Sequence, residues 1–341
     1  MSGEIITLAH GAGGKVMHEL IRELFVAGYG NDILAALEDQ ARLQLNALLA
    51  RGDRLAFTTD SYVVDPLFFP GGDIGKLAVT GTVNDLAVGG AVPLYLSCGM
   101  ILEEGLPLDT LRQVVASMKA TAADAGVQIV TGDTKVVHRG AADKLFINTA
   151  GIGVIPAGVE LSPTRIRPGD VIVVNGYIGD HGAAIVDARG ELALESSIET
   201  DCQPLAGLIQ AMLAACPDIR CLRDATRGGL ATVLNEFAAA SQGCMRLDEP
   251  RIPIRDEVRG MCEILGLDPL YLANEGKLVA VVPAEDAEAL VDAMRTHPAG
   301  RDAAVIGEVS ESPAATVVLS TGFGGERIVD LLVGEQLPRI C

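Results

Sequence analysis

Apolar periodicity lapses once along this chain, between residues 156 and 169, where Pro156, Gly158, Pro163, Pro168 and Gly169 cluster. Proline and glycine at that density interrupt helices and strands alike, so the lapse marks a boundary between two folding units. Before it, Met17, Leu20, Ile21, Leu24 and Phe25 recur at helical spacing after a Gly11–Gly14 loop. Strands are predicted at 55–59, 92–97, 127–131 and 145–155, the last interrupted by Gly151 and Gly153, with helices at 73–88 and from Pro107 to Gly126. After it, strands are expected at 171–175, 278–282, 303–309 and 316–319, and helices at 181–188, 205–215, 229–240 and 284–295. Both halves are therefore α/β, in mixed rather than strictly alternating order. The expected division is 1–157, 158–332 and a tail at 333–341.

Composition narrows the partners. The net charge is −19 with no basic run, tryptophan is absent and aromatics make up 4%. Nucleic acid and anionic membrane surfaces are poor matches for such a chain. An acidic protein still binds nucleotides when carboxylates hold Mg²⁺ against the phosphates. The uncharged stretch 86–102 is short for a membrane span and contains Gly89, Gly90 and Pro93. It reads instead as a buried helix end turning into a buried strand. Seven scattered cysteines without a CxxC pair, behind a Met-Ser-Gly-Glu start that is no signal peptide, suit a reducing cytosol.

Several acids stand where they are expected to do chemistry. Asp60 and Asp133 are read as closing the strands 55–59 and 127–131, and Asn84-Asp85 lies inside an apolar helical stretch. A buried Asn-Asp pair costs several kcal/mol unless polar partners meet it. Ligand sites in α/β folds favour the carboxyl ends of strands, so Asp60, Asp85 and Asp133 are expected to hold Mg²⁺ on a triphosphate. Gly11-Ala12-Gly13-Gly14-Lys15 is not a Walker A loop, and reads equally as a phosphate cradle or a plain turn. Gly179-Asp180-His181-Gly182 and Asp224-Ala225-Thr226-Arg227-Gly228-Gly229 each precede a helix, where unsatisfied N–H groups can meet anions or Asp224 can cap. Glu275, in Asn274-Glu275-Gly276-Lys277, is a candidate base or a turn carboxylate.

The chain ends in Pro338-Arg339-Ile340-Cys341, the last nine residues showing neither helical nor strand period. A cysteine on a mobile end is suited to carrying a group covalently, and nine extended residues reach roughly 30 Å. Its α-carboxylate opposes thiolate formation, so activation is expected from the partner that loads it.

Taken in order, His10-Gly-Ala-Gly-Gly, Thr59-Asp60-Ser61, Asn84-Asp85, Gly132-Asp133-Thr134-Lys135, the Asp180-His181 and Asp224 motifs, Asn274-Glu275-Gly276 and the Cys341 terminus resemble the HypE carbamoyl dehydratases of hydrogenase maturation, in the AIR synthetase (PurM-like) superfamily. The resemblance covers essentially the whole chain, and the terminal motif separates it from selenophosphate synthetase, thiamine monophosphate kinase and AIR synthetase. It implies a homodimer whose N-terminal mixed sheets form a shared barrel, with ATP at the subunit boundary. A carbamoyltransferase, HypF, would load Cys341, and ATP would drive dehydration to an S-cyanide passed to iron on HypC–HypD. The implied nucleotide contacts are Asp60, Asp65, Lys76, Asn84, Asp85, Gly132, Asp133 and Asp224, with Asp60, Asp85 and Asp133 on the metal. Lys135 and Glu275 are the implied proton acceptors beside Cys341.

Overall fold

The computed structural model describes residues 5–190, 197–334 and 336–341. The Met1–Glu4 start and Glu335 of the tail lie outside the described residues. Two separate sheets organise the chain. The first contains β1 (Arg54–Tyr62), β2 (Val92–Glu103), β3 (Gln128–Val137) and β4 (Leu145–Ile155), ordered β1-β4-β2-β3. β4 lies antiparallel to β1 and β2, while β2 and β3 are parallel. A parallel pair needs a long crossover, supplied here by the helix Leu108–Asp124.

The second sheet contains β5 (Val171–Val174), β6 (Cys221–Asp224), β7 (Cys244–Asp248), β8 (Leu278–Val282), β9 (Ala304–Ser310), β10 (Thr316–Ser320) and β11 (Glu326–Ile328). Their order is β11-β10-β7-β9-β5-β8-β6, with β7 and β10 the parallel pair. β6, β7, β11 and the helix Asp256–Leu265 were not foreseen from periodicity. The segment 145–155 is one continuous strand, because Gly151 and Gly153 keep their cross-strand partners on both sides.

The helix that joins the halves is α1 (Ile74–Val88), buried along thirteen of its fifteen residues. A helix apolar on every side must be enclosed on every side. Asp73 caps its start, accepting hydrogen bonds from the Gly75 and Lys76 amides at 2.6 and 3.0 Å. The turn Gly89-Gly90, with Gly90 at φ +84°, sends the chain into β2. One face of the first sheet lies on α1 and the Leu108–Asp124 helix. Its other face carries Leu55 and Phe57, 60% and 72% exposed, and among the described residues nothing covers them. Among the described residues no helix is long and apolar enough to cross a membrane.

Candidate active site

Asp60 and Asp133 do not end their strands; β1 continues to Tyr62 and β3 to Val137. Antiparallel pairing with β4 carries β1 past Asp60, and parallel pairing with β2 carries β3 past Asp133. Strand alternation then decides which face each acid takes. Ala56, Thr58, Asp60 and Tyr62 turn toward α1, while Leu55, Phe57, Thr59 and Ser61 turn to the uncovered face. Ser61 pairs with Asn148, Asn148 with Gly99, and Gly99 with Asp133. Directly paired residues share a face, so Asp133 lies three strands from β1 and on the side opposite Asp60. Within one chain the expected Asp60–Asp85–Asp133 triad is not assembled. Among the described residues no three His, Cys, Asp or Glu side chains are placed to share a metal ion.

The structure gathers a different set. Asp85, on α1, accepts a hydrogen bond from Thr58 Oγ1 at 3.1 Å. Burial, then the charges of Asp224 and Asp60, push its carboxyl up to about 7 against the help of Thr58. Asp224 ends β6 and is raised by burial and by Asp60. It is not a helix cap, because the next helix begins at Gly229 with Gly228 before it. Glu275 is 3% exposed and raised well above the carboxylate range, first by burial, then by Asp201, Asp224, Asp60 and Asp85. Its Oε1 has no hydrogen-bond partner. Burial and these neighbouring acids thus favour its protonated form. Against this cluster stand Arg227, 3.7 Å from Asp60 Oδ1, and Lys277, 3.1 Å from Asp201 Oδ2. Asp201 was not foreseen, since nothing around it distinguishes it from a loop acid; Arg227 was visible only as part of the Asp224 motif.

Other expected contacts are engaged elsewhere. Asn84 Nδ2 donates to the carbonyls of Gln203 and Glu275 at 3.1 and 3.2 Å, and its Oδ1 accepts from the Leu205 amide at 2.8 Å. Its amide thus ties α1 to the second half. Lys76 Nζ donates to the Gly71 carbonyl at 2.9 Å. Asp65 pairs with Lys144 at 3.0 Å, which holds its carboxyl low, and lies beside the tail. Lys135 pairs with Asp133 at 2.7 Å on the exposed face, apart from buried Glu275. Gly132 sits so close to the Cys98 carbonyl that a Cβ would overlap it, and Gly276 is equally constrained by the Asp201 carbonyl. The Gly11 loop abuts Val136 of β3, and Lys15 reaches only Glu19, at 3.5 Å.

The tail lies docked. The Val63 amide donates to an oxygen of the Cys341 α-carboxylate at 3.1 Å and the Asp65 amide to the Arg339 carbonyl at 3.2 Å, an antiparallel extension of the chain leaving β1. Ile340 is buried. Cys341 lines a cavity of about 590 Å³ with Ser61, Val63, Arg227 and Ala273. A terminal cysteine therefore reaches the wall of the space bordered by Arg227, the partner of Asp60.

Residues 38–155 match the AIR synthase related protein N-terminal domain and 167–320 the C-terminal domain. Carbamoyl dehydratase HypE of Rhodobacter capsulatus is 58% identical over 338 residues, covering 99% of this chain and 98% of that protein. The chain belongs to the HypE carbamoyl dehydratase family. It is accordingly an enzyme. A crystal structure of hydrogenase maturation protein HypE in complex with ATP superposes with a TM-score of 0.93 at 51% identity, covering 98% of this chain and 99% of that one. A HypE–HypF complex gives 0.79 at 45% identity, covering 92% and 99%.

Proposed function

We propose that this HypE-family chain uses ATP to dehydrate an S-carbamoyl group on its own Cys341 to an S-cyanide, the source of the cyanide ligand of [NiFe]-hydrogenase iron. The observation that carries this reading is the terminal cysteine docked into the cavity shared with Arg227. An enzyme acting on a diffusible substrate has no use for such a thiol.

A carbamoyl oxygen cannot leave as oxide. Transfer of a phosphoryl group onto it, with loss of one N–H proton, makes a phosphate ester; departure of phosphate with the second N–H proton leaves the nitrile. In-line transfer requires positive charge around the phosphoryl oxygens. Arg227 is placed to contribute it. Mg²⁺ typically takes one or two protein carboxylates together with substrate phosphates, and Asp85 with one of the acids whose charge it feels, Asp60 or Asp224, would meet that demand. When bound, the cation would neutralise charge on the phosphates and on these acids. Glu275, buried among these acids, is the group that would accept an N–H proton.

Asp133 and Lys135 reach such a site only from a second copy. The uncovered sheet face with Leu55, Phe57, Asp133 and Lys135 supports a homodimer closed through the N-terminal sheets as a shared barrel, with ATP at its boundary. HypF is the proposed carbamoyl donor, HypC–HypD the iron-carrying acceptor, the cytoplasm the compartment, and an undocked, mobile 333–341 segment the loading state. Intact-mass spectrometry after incubation with HypF, carbamoyl phosphate and Mg-ATP tests the reading. A carbamoyl adduct on Cys341 that loses one water only with ATP supports it; an unmodified protein that still hydrolyses ATP overturns it.

A further inference from the structure

Residues 339–341 present two carbonyls and the α-carboxylate of Cys341, and β-pairing uses an oxygen from Arg339 and one from Cys341. Arg339 and Cys341 turn theirs to the Asp65 and Val63 amides. By strand alternation the Ile340 carbonyl points the other way, into the protein, where an unmet acceptor is costly. His181, at the start of the helix Asp180–Ala188, meets it with Nε2 at 2.8 Å. The ring is 0% exposed and rests edge-on against Phe69, centroids 5.6 Å apart.

The tautomer follows from the partners. Thr200 Oγ1 accepts the Cys202 amide at 3.2 Å, and its own proton is then available to His181 Nδ1, 2.7 Å away. With Nδ1 accepting, the ring proton sits on Nε2 and faces a carbonyl that can only accept. Burial lowers the basicity of this imidazole, which agrees with a neutral ring. Beyond the same helix, Arg189 donates to the Pro338 and Arg339 carbonyls at 2.6 and 3.0 Å. The tail is thus held from both sides, by the chain leaving β1 and by the second half.

We propose that His181, oriented by Thr200, is a positioning residue for the reaction: it fixes the carbonyl one residue before Cys341 and so places the terminal sulfur in the active-site cavity. The reactive role of Cys341 rests on the function proposed above; the positioning itself does not. Undocking for loading breaks the His181–Ile340 bond, and docking for dehydration remakes it.

Alkylation of Cys341 by iodoacetamide, followed by intact mass on the full chain without nucleotide, tests the positioning separately from the chemistry, since the other six cysteines are buried. His181→Phe keeps a flat ring without the donor. His181→Gln carries its amide near the Nε2 position, whereas His181→Asn carries it near Nδ1. Loss of one net hydrogen bond predicts about tenfold faster alkylation in the Phe and Asn variants, with Gln close to the parent. In single turnover the carbamoylated Phe and Asn variants lose water more slowly at unchanged ATP affinity. The proposal is overturned if Phe and Asn variants with parental melting midpoints alkylate at the parental rate, or if Gln behaves like Asn. Should His181→Phe fail to fold, the Gln–Asn contrast decides by itself.

Discussion

Asp85 and Asp224 line one cavity at the junction of the two halves, one from α1 and the other from the end of β6, and the charge of Asp224 makes Asp85 harder to ionise. The pH dependence follows. A carboxyl raised to about 7 in the folded chain, against 3.8 as its reference value, binds more protons folded than unfolded between those pH values. Its contribution is fully present below pH 3.8 and is lost as pH rises through about 7. Asp85→Asn should therefore raise the ligand-free melting temperature by a few degrees at pH 8 and by clearly less at pH 5. ATP turnover should be lost at both. Differential scanning calorimetry at the two pH values checks the sign.

Glu275→Gln replaces a buried carboxyl, whose protonated form its surroundings favour, with a neutral isostere. The folded protein should keep its stability to within about 1 kcal/mol. Phosphoryl transfer should continue while water loss from carbamoyl-Cys341 stops. Phosphate release measured together with intact mass separates the two steps; parallel loss of both would place Glu275 in nucleotide binding instead.

Asn84 has a structural assignment that can be checked against a nucleotide-binding one. Asn84→Ala leaves the Gln203 and Glu275 carbonyls and the Leu205 amide without their partner. Each buried orphan costs about 1–3 kcal/mol, so urea unfolding should show a loss of about 3 kcal/mol or more. Unchanged stability with lost ATP binding would argue for direct contact with the nucleotide.

Phe57, 72% exposed on the open sheet face, is the probe of dimerisation. Phe57→Lys should give a monomer in sedimentation velocity at concentrations where the parent sediments as a dimer, because burying an unpaired ammonium costs several kcal/mol. ATP turnover should fall with it if Asp133 and Lys135 act from the second copy. A dimer that persists would locate the contact elsewhere.

The alternation of Ala56, Thr58, Asp60 and Tyr62 with Leu55, Phe57, Thr59 and Ser61 was present in the sequence, but not which set faced the core. A triad of Asp60, Asp85 and Asp133 was a reasonable expectation from acids near strand ends. It required all three on one edge, and register assigned Asp133 to the other face. Asp201 could not be singled out at all, since its proximity to Glu275 is created by folding.

What the chain determined by itself is what depends on near neighbours: the strand 145–155, the helix over 73–88 and a cysteine at the last position. Those features need only side-chain period and turn chemistry. The tertiary structure decided the rest. Strand register set the face of each acid, enclosure of α1 turned Asn84 into a tie between the halves, and pairing with Val63 and Asp65 placed the tail. Each of these depends on contacts far apart in sequence, which no local pattern encodes.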